Sequence, residues 1–139
     1  MQLSDKVKTM DDGLTKTLGI EYHSTDDPDT VEATMTCTPP VSQPWGFLSG
    51  GAVLALAENL AGIGSMSVTP EKQIFGINVA ANHMSSVRTG ESVTAVARLL
   101  RKGGTLHNWL VTVYNDQSGA VVSEIQVTNY TMSADRMKK

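Results

Sequence analysis

SGGAVLALAENLAGIGSM, residues 49–66, holds a single ionisable side chain, Glu58. Ala52, Val53, Leu54, Ala55, Leu56, Ala57, Leu60, Ala61, Ile63 and Met66 leave it almost no polar face, so it is predicted to be a helix buried on most sides. At about 16 residues it is short for a bilayer crossing. One turn before Glu58 stand Leu54 and Ala55, and one turn after it Ala61 and Gly62, so the carboxylate is expected among small apolar groups. An ionised carboxylate in such surroundings costs several kcal/mol unless paired and becomes a stronger base, which makes Glu58 a candidate for chemistry. The plainer alternative is a Glu that surfaces at one edge of the helix, beside Asn59.

The 139 residues suffice for one domain with a real core, and one domain spanning 1–139 is expected. Hydrophobic content of 40% and charged content of 18% argue against disorder. A formal net charge of −3, with no Lys/Arg cluster beyond Arg101/Lys102 and Lys138/Lys139, gives no nucleic-acid surface. Cys37 stands alone, so neither a disulfide framework nor a metal-ligand set is expected, and a reducing compartment fits. MQLSDKVKTMDD has no apolar core or cleavage site, so the expected location is the cytoplasm, with no membrane attachment.

Around the central stretch, residues 4–14 read as a short amphipathic helix capped by Ser4 or Asp5, with Val7, Met10 and Leu14 at helical spacing. Strands are predicted over 18–23 and 31–37, separated by an Asp-rich turn before Pro28. Pro39 and Pro40 stop the second strand, and VSQPWGFLSGG leads into the helix. Four further strands follow, over 74–84, 92–100, 105–114 and 120–132. Their Gly- and Asn-rich separators predict antiparallel hairpins for the last three. Val93, Ala95, Ala97 and Leu99 share one face, as do Trp109, Val111 and Val113, while Val122, Glu124, Gln126 and Thr128 alternate with Val121, Ser123, Ile125 and Val127. The predicted fold is α+β, an antiparallel sheet curved around one long helix. The sheet covers one side of that helix; the other needs a second cover, so a dimer is expected.

VEATM at 31–35, QPWGFLSGG at 43–51, the Glu seven residues after Gly51 and the run Ala81-Asn82-His83 together resemble the hotdog-fold acyl-CoA thioesterases. Over residues 18–132 the chain is most similar to their glutamate-using branch, which acts on 4-hydroxybenzoyl-CoA, 1,4-dihydroxy-2-naphthoyl-CoA and phenylacetate-type substrates. The resemblance implies hydrolysis of an acyl-CoA thioester with an aromatic or medium-sized acyl group. Coenzyme A enters as part of the substrate, with no separate cofactor and no metal.

It also implies roles. Glu58 is nucleophile or general base; the Gly50 backbone N–H, at a helix start where the dipole is positive, polarises the carbonyl. Gln43 and Ser49 complete the catalytic set. Gly51, Asn82, His83, Ser85, Ser86, Arg88, Arg101, Lys102 and Thr105 are implied for substrate and CoA, and Trp45, Phe47, Leu54, Asn59 and Gly62 for the acyl pocket. Eight residues of helix separate Gly50 from Glu58 by about 12 Å, too far to act on one carbonyl. Two antiparallel helices across a dimer bring Glu58 of one copy to Gly50 of the other, and the family's tetramers pair two such dimers.

Two departures from the family pattern stand out: Ser49 replaces a His, and Gly62 replaces a Ser or Thr. They leave a second reading, a non-catalytic acyl-CoA-binding hotdog acting as sensor or carrier. A hydratase would need Asp and His on the helix, and neither occurs between Gly50 and Met66. A serine nucleophile would need G-x-S-x-G, but Phe47 stands at the first glycine position. His23 and His107 read as structural or exposed.

Overall fold

A computed structural model describes residues 1–133; the Lys138/Lys139 pair lies outside the described residues. Its elements are α1 (Asp5–Lys8), α2 (Gly13–Leu18), β1 (Glu21–His23), β2 (Thr30–Thr36), α3 (Gly50–Val68), β3 (Lys72–His83), β4 (Ser92–Lys102), β5 (Leu106–Asn115) and β6 (Val121–Ser133). One antiparallel sheet, in the order β1-β2-β4-β5-β6-β3, wraps α3. β3 is an edge strand whose outer side is unpaired among the described residues.

Two expectations fail at the N-terminal end. The single helix over 4–14 is two, because Asp11, Asp12 and Gly13 (φ 57°) break the chain between them. Ser4 is the cap, accepting from Val7 N at 3.3 Å. The strand expected from Leu18 begins only at Glu21. Leu18 instead closes α2, and Gly19 (φ 71°) forms its left-handed cap, with Ile20 N donating to Thr15 O. A Leu-Gly pair that opens an alternating run is equally the signature of a helix end.

Cross-strand register organises the concave face into rows. Val31, Ala97, Val111 and Ile125 form one row and Leu99, Trp109 and Val127 another, packed on Val53, Leu56, Ala57 and Leu60 of α3. Alanines at 33, 95 and 97, all fully buried, let the helix approach the sheet closely. Beyond these apolar rows lies a polar one at each end. Ser123 pairs with His83 at one end, and His107, Asn129 and Gly76 align at the other.

β6 departs from strict alternation. Val122 and Ser123 are both buried, because the pairing shifts between Val113 and Tyr114 and Val122 becomes the extra residue of a bulge. α3 has the length and apolarity of a membrane span, but half of it is buried in the sheet, as befits a core helix.

Ser65 anchors the core's polar end. Its Oγ accepts from Trp109 Nε1 at 2.9 Å and from Asn129 Nδ2 at 3.0 Å, using both lone pairs, so its proton goes to His107 Nδ1 at 2.8 Å. His107 is therefore neutral with its proton on Nε2, which has no partner among the described residues. Burial, then Lys102 and Lys72, hold its pKa below the ordinary 6.5. The unfolded chain takes up a proton near pH 6.5 while the folded chain does not, so this group's contribution is complete above that pH and is lost as pH falls below it. Unfolding free energies from urea titration are expected to drop between pH 7 and pH 5, by at most about 1.4 kcal/mol per pH unit from this group, and His107→Gln should flatten that slope. Asp27 does not share the window, since the Asp29 backbone N–H and then Arg98 hold its carboxyl below the usual carboxylate range.

Candidate active site

Each end of α3 opens into its own cavity. At the first, of about 350 Å³, Gly50 and Val53 meet Gln43, Phe47, His83, Ser85 and Ser86. The helix starts after Ser49, whose side chain makes no capping bond and whose N–H donates to Val41 O. Ala52 and Val53 donate to Ser49 O, leaving the N–H groups of Gly50 and Gly51 without an acceptor in the helix. Gln43 is held by its own turn: its Oε1 accepts from Trp45 N at 2.9 Å, which leaves its amide NH₂ free to donate.

His83 Nδ1 lies 2.6 Å from Ser123 Oγ, its partner across the strands, and its ring lies against Gly50. A Cβ on Gly50 would sit 2.9 Å from His83 Nε2. An imidazole thus reaches the helix start from β3.

The second cavity, of about 500 Å³, holds Glu58 together with Ala55, Asn59, Gly62, Ile63, Met66, Ile74 and Gly76, and is closed by Met10, Leu14, Thr15 and Tyr22 from the N-terminal segment. The expectation of a buried carboxylate is corrected. Glu58 is exposed in the single chain and lies on an open stripe with Gly51, Leu54, Ala55, Gly62 and Met66. It makes no ion pair; the one among the described residues joins Arg98 and Asp27 at 3.1 Å.

The other anticipated residues divide. Asn59 and Gly62 join the Glu58 cavity, whereas Phe47 lines the Gly50 cavity. Trp45, 78% exposed at a turn tip, and Leu54, on the open stripe, line neither, so the expected acyl wall is not continuous. Gly51 is exposed on α3, and Arg88 borders the first cavity through its bridge to Phe47. Asn82 faces the outer side of the sheet with Ala80 and Glu124, opposite to His83, because neighbours on a strand point apart. Arg101, Lys102 and Thr105 sit at the β4–β5 turn, beside the far end of α3 from Gly50. Sequence reasoning missed Met10, Thr15, Tyr22 and Gly76. Their only signal was apolar or small character, which does not distinguish a cavity wall from core.

Among the described residues no group of three His, Cys, Asp or Glu could hold a metal ion. An antiparallel sheet of six strands wrapped around one long helix is the hotdog fold. Residues 46–122 match the thioesterase superfamily, and the chain belongs to it. It is similar to the 1,4-dihydroxy-2-naphthoyl-CoA hydrolase of Listeria monocytogenes, with 35% identity over 105 residues, 75% of this chain and 84% of the relative. A crystallised thioesterase of Haemophilus influenzae superposes with a TM-score of 0.85 at 27% identity, over 96% of this chain and 92% of its own. A protein of Staphylococcus aureus, 28% identical with TM-scores of 0.79 and 0.80 over 86–87% of this chain and 98–99% of its own, was crystallised as two variants. One replaces a glutamine and the other a glutamate fifteen positions later, the spacing of Gln43 and Glu58 here.

Proposed function

We propose that this thioesterase hydrolyses acyl-CoA esters of aromatic or medium-sized acids, in sites each built from two copies of the chain. The observation that carries the reading is the separation of Gly50 and Glu58 into different cavities, about 12 Å apart along one rigid helix. Each chain then holds two half-sites. Antiparallel pairing of two copies through the open α3 stripe and the bare edge of β3, where Phe75 and Ile77 are 41% and 58% exposed, joins complementary halves and covers an edge otherwise prone to aggregate. A tetramer would pair two such dimers.

In the joined site the N–H groups at Gly50 and the Gln43 amide polarise the thioester carbonyl, and Glu58 of the other copy attacks it or deprotonates the attacking water. Pairing also removes Glu58 from bulk solvent. The departing thiol, with a pKa near about 8.5, needs no strong acid. Ser85, Ser86 and Arg88 lie on the Gly50 side for the nucleotide arm of CoA. Antiparallel pairing would bring the partner's Arg101, Lys102 and Thr105 toward the same side.

The acyl group would occupy the Glu58 cavity, whose apolar lining is Met10, Leu14, Ile63, Met66 and Ile74. Leu14→Ala is expected to raise the decanoyl-to-hexanoyl ratio of kcat/KM about tenfold with little loss of stability, because the side chain is 51% exposed. Thiol release from benzoyl-, phenylacetyl-, hexanoyl- and decanoyl-CoA, with Glu58→Ala as control, tests the whole reading. Hydrolysis that disappears in the variant supports it. Tight CoA-ester binding without turnover by the unsubstituted protein would favour a sensor or carrier instead.

A further inference from the structure

Glu58 rests on backbone, at the one place where β3 changes its pairing. A Cβ on Gly76 would lie 2.5 Å from Glu58 Oε1, 3.0 Å from its Cδ and 3.2 Å from its Cγ. The space under the carboxylate exists because position 76 has no side chain. Backbone conformation does not demand glycine there, since the positive-φ glycines are at 13, 19, 46, 90 and 119.

The strand register explains why position 76 is the one that meets the helix. Down the concave face, His83, Ala81 and Val79 of β3 pair in turn with Ser123, Ile125 and Val127 of β6, two residues per row. The next row pairs Gly76, not Ile77, with Asn129, because the register shifts between Gly76 and Asn78. Ile77 is the extra residue and turns outward, 58% exposed. Regular pleating would put Ile77 under Glu58 and turn Gly76 to the outside. The bulge therefore keeps both His83, against Gly50, and Gly76, against Glu58, on the inner face although seven positions separate them.

We infer that Gly76 is a positioning residue for Glu58: its bare backbone, turned inward by the bulge, seats the carboxylate where it meets the thioester. This rests on the proposed role of Glu58. Filling the seat displaces the far end of a flexible, unpaired side chain, so it leaves the fold intact and moves the carboxylate by roughly an ångström. Misplacement on that scale costs about 100-fold in rate.

The test compares Gly76→Ala, Glu58→Ala, Glu58→Asp and the double variant Gly76→Ala/Glu58→Asp by thiol release, using the best substrate of the acyl-CoA panel. Gly76→Ala is expected to lower kcat about 100-fold with KM within about threefold of the unsubstituted protein and an unchanged melting temperature. Shortening the carboxylate by one methylene removes the overlap, so the double variant should be at least tenfold faster than the product of the two single effects predicts. Multiplicative losses would overturn the inference, as would wild-type kcat in Gly76→Ala or a failure of that variant to fold. Activity retained in Glu58→Ala would instead remove the underlying reading. Loss in Glu58→Ala beside full activity in Gly76→Ala would overturn the seat alone.

Discussion

Glu58→Gln is expected to lower kcat by about 1,000-fold or more while leaving the melting temperature unchanged or raised. The amide keeps the shape of the side chain but can neither attack a carbonyl nor accept a proton from water. Stability is spared because Glu58 is exposed in the single chain and has no ion pair there. Where pairing of two copies covers it, removing a poorly solvated charge is neutral or favourable. A fall of several degrees would mark a structural ion pair across the interface and count against the catalytic role. The same variant tests whether the site is shared. Glu58→Gln protomers are inactive alone, as are Gln43→Ala protomers by expectation. Unfolded together and reassembled, half of the dimers are mixed, and each mixed dimer contains one site with both groups intact, so about a quarter of full activity should return. A site contained within one chain would regain nothing.

Ser65→Ala is expected to cost about 3–4 kcal/mol, lowering the melting temperature by roughly 10 °C. The change removes one small oxygen, but that oxygen serves three buried partners. Trp109 Nε1 loses its acceptor, Asn129 Nδ2 keeps only Ala61 O at 3.2 Å, and His107 Nδ1 loses its donor. His107 already carries one buried nitrogen without a partner, so its ring would be left with none. Space forbids an easy repair, because the neighbouring Gly64 lies against the Trp109 indole, where a Cβ would come within 2.8 Å of Cζ2. Differential scanning calorimetry measures the loss directly. Turnover per folded molecule should be little changed at low temperature, since neither Gly50 nor Glu58 bonds to this network. A loss below about 1 kcal/mol would mean that water takes the place of the hydroxyl.

Much of the molecule was legible in its residues. The apolar stretch around Glu58 determined one core helix, and period-two alternation with turn signals determined the antiparallel strands that wrap it. Glu58 could be singled out because a lone carboxylate is unusual in such surroundings, whereas Gly50 and Gln43 were pointed to by the resemblance to the thioesterases. The separation of Glu58 from Gly50 by helix rise alone argued for two copies. Local pattern failed where two local readings compete, as at Leu18-Gly19, which suits a strand start and a helix end equally well.

What the sequence by itself determined, then, was which elements form and which of their residues are chemically able. Tertiary structure alone decided which of those residues meet. Pleating assigns a side chain to a face only until a bulge changes the count, and the bulge at Ile77 depends on pairing with β6, about fifty positions away. That pairing brings His83 to Gly50, leaves Asn82 on the outer side and places Gly76 beneath Glu58. Folding of the N-terminal segment across the far end of α3 likewise makes Leu14 and Tyr22 cavity wall. Such contacts arise from long-range register and from the space left by absent side chains, and neither is written in the periodicity of any one segment.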